Sequence, residues 1–297
     1  MENVFIKSAK LQKEFFRISD HIISNSVEKI NKKDIENDEL VHTLRKRVKN
    51  LRTILKLLRK EVGEDFYKKN NSLLRDINRR SSSIRNYFAL INLVEHNLNQ
   101  SENEKFFEAL NLLLIRLRTD FDNVRNQTDY STLFSHYDSQ LNKYCSHLKK
   151  LKETQNKFNL LKAGFVKIYS EGKELLNICL INSSDDNLHE WRKCSKDYYY
   201  ITLSLSPIWK PVFEPLAKEI KTLSDMLGQI NDYYELSHYI QTLIDNPFDF
   251  TMIFDLIDSS RLKLLEDSYK LGKRIYAVSP EIFAEQFKAY YLCYKKD

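Results

Sequence analysis

The chain has 297 residues, a formal net charge of +6 and only 5 Gly and 5 Pro. That shortage of turn formers argues against β-rich folds, and no phosphate-cradling glycine loop surrounds Gly63, Gly164, Gly172, Gly228 or Gly272. Charged residues at 30% and apolar residues at 42% describe a globular chain. No apolar run is long enough to predict a membrane span, and Lys7 and Lys10 break the N-terminal apolar stretch, unlike a secretory signal.

The apolar periodicity is helical almost throughout. A stripe through Phe5, Leu11, Phe15, Ile18, Ile22 and Ile23 predicts a helix from Val4 to about Ile30. The Asn and Asp residues between Asn31 and Asp38 supply caps for the next helix. That helix runs from Leu40 to about Lys60 on a seam of Val41, Leu44, Val48, Leu51, Leu55 and Leu58. Helices are expected over Glu64 to Leu98, with a break near Asn70 or Ser81, and over Glu102 to Val124 behind a Ser101/Glu104 capping box. Thr128 to Ile181 reads as two helices meeting near Asn159 or Gly164. A helix from Asp185 to about Leu205 and another from Val212 to Ile244 are joined through Pro207, Pro211 and Pro215. The last two cover Phe250 to Tyr276 and Pro280 to Tyr294, the latter with Ser279 as N-cap.

The chain repeats itself. Val41-His42-Thr43-Leu44-Arg45-Lys46 has a counterpart 147 residues later in Leu188-His189-Glu190-Trp191-Arg192-Lys193, and each His is followed at +7 by a Lys, Lys49 or Lys196. Ile84-Arg85-Asn86-Tyr87 then matches Ile230-Asn231-Asp232-Tyr233. Two copies of one helical unit, related by a pseudo-twofold, explain both matches. They make a single domain over 1–297 with internal halves of about 1–126 and 127–297.

Charge is concentrated on the first copy. Between Val41 and Lys60 stand Arg45, Lys46, Arg47, Lys49, Arg52, Lys56, Arg59 and Lys60 with no acidic residue, so this span exceeds the net charge of the whole chain. Stacked like charges cost a few tenths of a kcal/mol per i,i+4 pair. A solvated face with partners on neighbouring helices would relieve that cost, and so would an external polyanion; the second His-x-x-Arg-Lys copy favours the polyanion. Further basic stretches lie at Lys68 to Arg85, at Lys143 to Lys173, and at Lys270, Lys273 and Arg274. If the bundle joins these faces, a basic channel or groove results.

Other chemistry finds little support. His42 and His189 could each donate a ring N–H to an anion, whereas His21, His96, His136, His147 and His238 read as core or capping residues. No metal-ligand spacing, nucleophile motif or acid–base carboxylate pair stands out, so no enzyme, metal or cofactor is expected. Cys145, Cys179, Cys194 and Cys293 form no CxxC pair, which fits a reduced, cytoplasmic setting. Tyr198, Tyr199 and Tyr200 read as packing residues.

The two His-x-x-Arg-Lys helices and the Arg85-Asn86 and Asn231-Asp232 positions resemble the CHAD family, the conserved histidine α-helical domain. Gly164 to Lys173, and Leu271-Gly272-Lys273-Arg274 with Pro280 and Phe283, resemble it too. The resemblance implies a stand-alone, all-α module of two pseudo-twofold-related helical bundles, roughly four helices each, around a basic central pore that binds inorganic polyphosphate. Carried over by position, the ligand set is His42, Arg45, Lys46, Lys49, Arg52, Arg75, Arg79, Arg85, Lys167, Lys173, His189, Arg192, Lys193, Lys196, Lys221 and Arg274. Tyr199 stands where the second half would carry Arg, and Asn86 where Asp is typical. The implied protein is a non-catalytic polyphosphate binder of the cytoplasm, associated with polyphosphate granules. Nucleic acid is the alternative partner, an enzyme acting on polyphosphate or nucleotides is the second rival, and no membrane contact is expected.

Overall fold

The computed structural model describes residues 11–32, 35–100, 103–151, 158–243 and 250–296. Among them are twelve α-helices and no strand: α1 (Leu11–Lys32), α2 (Asn37–Leu57), α3 (Arg59–Val62), α4 (Glu64–Arg79), α5 (Ser82–Leu98), α6 (Glu104–Gln127), α7 (Tyr130–Lys149), α8 (Phe158–Ile181), α9 (Asp185–Ser204), α10 (Lys210–Gln241), α11 (Thr251–Ile275) and α12 (Pro280–Lys296). A 3-10 turn, Ser206–Ile208, joins α9 to α10. No helix among the described residues is long and apolar enough to cross a membrane.

Most expected elements appear, and the boundaries that moved have local causes. The break inside 64–98 falls at Arg80–Ser81. The long 128–181 stretch divides after Lys149, so Gly164 lies within α8. The residue capping α6 is Asn103, whose side chain accepts the Phe106 N–H at 3.1 Å. Val4, Phe5, Ser101 and Ile244 lie outside the described residues. At α2 the N-cap is Glu36, with no side-chain cap bond. Asp38, expected as a cap, instead accepts from the Tyr130 hydroxyl at 2.5 Å and from Arg125 at 2.9 Å. Ser279 does cap α12, accepting the Ile282 N–H at 3.3 Å. Pro211 and Pro215 belong to α10 itself, Pro211 in the first turn where no N–H is needed.

Two apolar cores hold the helices. The seam of α2 is wholly inside the larger one, where Leu44, Val48 and Leu51 have no exposed surface and meet Ile18, Leu74, Tyr137, Phe165 and Tyr198. The smaller core gathers Leu90, Val94, Leu113 and Leu117 of α5 and α6 with Leu236, Ile240, Ile253 and Ile257 of α10 and α11. The long α10 serves both, through Ile220 and Leu227 in one and Leu236 in the other. Both cores mix residues from before and after position 126.

Two glycines serve the α2–α4 region in different ways, one through its backbone angle and one through its missing Cβ. Gly63, at φ 84°, turns the chain between α3 and α4 at an angle that favours glycine. Gly164 of α8 lies directly on the C-terminal end of α2, so that a Cβ there would collide with the Leu57 carbonyl. Backbone cannot swing aside as a side chain can. Gly164→Ala should therefore cost about 1–3 kcal/mol and lower the thermal midpoint by several degrees in a melt followed by circular dichroism. An unchanged midpoint would show that α8 does not need this close seat on α2.

Candidate functional site: a cavity lined by cations

Burial of the α2 seam turns the adjacent face of the helix inward across a cavity of about 940 Å³. From α2 it receives Arg45, Lys49, Arg52 and Lys56; from α4, Arg75 and Arg79; from α5, Arg85; and from α9, His189, Arg192, Lys193 and Lys196. Glu171 and Glu174 of α8, Glu190 and Asp197 of α9, and Glu235 of α10 supply its carboxylates. Ten of the expected ligand residues thus meet here: Arg45, Lys49, Arg52, Arg75, Arg79, Arg85, His189, Arg192, Lys193 and Lys196.

The other six do not line it, and the contacts of four of them show where their side chains go. The His42 ring packs against Phe88, at 5.8 Å between centroids. Lys46 also lies off the wall, but close enough to depress the pKa values of His42 and Lys196. Lys167 sits 3.8 Å from Glu171, and Lys173 donates at 2.9 Å to the Val278 carbonyl just beyond α11. Lys221 pairs with Asp225 on its own helix at 2.5 Å, and Arg274 ends α11 away from the cavity. In the third basic stretch Lys162 pairs with Glu285, while Lys152 and Lys157 lie outside the described residues.

Within the cavity the cations fall into two groups. Some are held by neighbours. Arg45 donates to the Asn78 carbonyl and, at 3.0 Å, to Ser81 Oγ, fastening α2 to the α4–α5 junction. Arg85 reaches across the halves to Asp232 at 3.1 Å. Lys56 lies 2.7 Å from Glu171 and 3.3 Å from Asp197; these carboxylates outweigh the burial that disfavours its ammonium and hold its pKa above the usual lysine value. Lys193 is paired with Glu190. Lys49, Arg192 and Lys196 form the second group, desolvated beside one another and, like Arg52 and Arg79, without an ion pair among the described residues. Arg192 also keeps a buried Nε without a hydrogen-bond partner.

That second group repels itself. Burial first, then Lys196, Arg192, Arg45 and Arg85, push Lys49 down to about 6. Burial and then Arg192 lower Lys196 to about 8, against an opposing pull from Asp225. His42 falls to about 4 through burial and the charges of Lys46, Arg85, Lys49 and Lys196. His189 engages Asn231 Oδ1 through Nδ1 at 2.8 Å, which leaves Nε2 as the ring nitrogen that could meet an anion.

The walls are unequal in a way the search for like charges missed. The first half contributes Arg45, Lys49, Arg52, Lys56, Arg75, Arg79 and Arg85 without a carboxylate, whereas all five carboxylates come from the second half. The repeat held the signal. Glu190 and Asp197 fall where the first copy has Thr43 and Asn50, at the same 147-residue offset that pairs His42 with His189. Glu174 and Glu235 have no ion pair among the described residues. Asn71 was also missed; it accepts from Arg52 Nε at 3.0 Å.

A stability consequence follows for Lys49→Gln/Lys196→Gln. The unfolded chain holds its lysine protons to the ordinary pKa near 10.5, whereas the empty fold releases the Lys49 proton near 6 and the Lys196 proton near 8. Between those limits the unfolded state binds more protons, so the penalty is largest at low pH and fades as pH rises. The double variant should melt higher than wild type, by a wide margin at pH 6 and a narrow one at pH 9. Melting curves at the two pH values check this; equal margins would contradict it.

Compared with known proteins, residues 21–241 match the family model of the CHAD domain. That range takes in every residue lining the cavity and stops before the Leu271–Arg274 and Pro280 segments. No curated protein matches the chain. Since the matched range covers well over half of the 297 residues, the chain belongs to the CHAD domain family.

Proposed function

We propose that this protein binds inorganic polyphosphate in the cavity between α2 and α9, without turning it over. The observation that carries the reading is the unpaired trio Lys49, Arg192 and Lys196, buried among further cations. Such a cluster is unfavourable while empty and becomes favourable once phosphate oxygens enter. A chain of linked phosphates suits it better than a single anion, because Arg52, Arg75 and Arg79 continue the cationic wall along α2 and α4. On this reading the cavity is the basic central pore implied by the family resemblance, and α2 and α9 are the equivalent helices of two pseudo-twofold-related bundles. A protein that holds polyphosphate in this way would be drawn to polyphosphate granules in the cytoplasm.

Nucleic acid would meet the same charge but fewer of its needs. Tyr67 and Tyr200 are the aromatic side chains on the wall, and Arg59 covers the Tyr67 ring at 4.4 Å. That is little stacking surface for bases.

Polyphosphate should displace labelled RNA from the protein at much lower phosphate concentration than RNA displaces polyphosphate. Lys49→Gln/Lys196→Gln should weaken retention on a polyphosphate resin by about tenfold or more, although that variant is the more stable protein. Glu174→Gln/Glu235→Gln should strengthen retention, since it removes the unpaired negative charge of the second-half wall. Retention unaffected by either change would sink the proposed site. Incubation with polyphosphate and Mg²⁺ should release no phosphate; steady release would instead favour the enzyme reading.

A further inference from the structure

A second cationic surface lies outside the cavity, on the far side of α4. The α7 residues His136, Lys143 and His147 and the C-cap Lys150 follow steps of seven, four and three, which puts them on one side of the helix. His147 fixes that face against α4, through a 2.7 Å bond between its Nδ1 and Oδ1 of the buried Asn70. Lys69 and Arg80 of the α4 region join it. Burial and the charges of Lys69, Lys143 and Lys150 lower the His147 pKa, while burial and Arg80 lower that of His136.

Lys69, Arg80, Lys143 and Lys150 are exposed and have no ion pair among the described residues. Of the carboxylates on these two helices, Asp76 lies 3.7 Å from Arg75 and Asp138 accepts from Asn142 at 3.1 Å, while Asp65, one turn before Lys69, has no ion pair among the described residues. The same α4 sends Arg75 and Arg79 into the cavity, so one helix carries cations on both surfaces.

We propose that the α4–α7 face is a second subsite, which holds the part of a long polyphosphate chain that extends outside the cavity. The proposal rests on the reading of the cavity as a polyphosphate site. A chain anchored inside brings its outer phosphates to the α4–α7 face at high effective concentration, so even weak contacts there add affinity. The occupant must be a linear polyanion longer than the cavity can hold, because a short one is satisfied inside.

The test compares tripolyphosphate with long-chain polyphosphate, by calorimetry on the full chain. Lys69→Glu/Lys143→Glu/Lys150→Glu should lose about tenfold or more in affinity for the long chain and none for tripolyphosphate. The milder Lys69→Gln/Lys143→Gln/Lys150→Gln should show the same selectivity with a smaller loss, which separates charge from any effect on folding. If wild type binds tripolyphosphate and the triple variants bind the long chain as wild type does, the outer subsite is wrong and the cavity reading stands. Equal losses for both ligands would also overturn the outer subsite. Wild type that binds neither ligand would sink the cavity reading and the subsite with it.

Discussion

The mutual repulsion of cations delivered by two different helices is the constraint on which this structure turns. Lys49 comes from α2, and Arg192 and Lys196 from α9, into one partly desolvated space. No carboxylate among the described residues pairs with any of the three. Elsewhere the protein does supply such partners, as Lys56 with Glu171 and Asp197 shows. Leaving the trio unpaired costs stability, and on the proposed reading an arriving polyanion offsets that cost.

The rest of the molecule resists that repulsion. The α2 seam is buried without gaps in exposure along Leu44, Val48 and Leu51. Gly164 seats α8 on the end of α2, and Gly272 of α11 leaves room for Trp191, where a Cβ would approach the indole to 2.7 Å. Arg45 fastens α2 to the α4–α5 junction, and Arg85 ties α5 to Asp232 of α10. Two of the cavity's arginines are thus fixed contacts of its frame, while Lys49 and Lys196 near them have no ion pair among the described residues.

Much of the architecture was legible in residue spacing. The Val41 to Leu58 seam pointed to a buried helix with a cationic flank, and the 147-residue repeat pointed to a second helix facing it. What spacing could not convey was the destination of a long side chain. Lys173 and Lys221 enter the ligand set through the family resemblance, yet one reaches the backbone beyond α11 and the other a carboxylate one turn away. Arg45 looks like a ligand and is largely spent on Asn78 and Ser81. The carboxylate-bearing wall does not show in the distribution of basic residues; it shows where the two copies align, with Glu190 and Asp197 opposite Thr43 and Asn50.

Isothermal titration of polyphosphate into the protein at pH 7.5, in two buffers of different ionisation enthalpy, tests the central claim most directly. With Lys49 near 6 and Lys196 near 8 in the empty cavity, an arriving polyanion should restore the missing positive charge, and binding should take up roughly one proton or slightly more. Binding heats that are identical in the two buffers would mean no proton uptake, and would contradict a cavity whose cations discharge one another until an anion arrives.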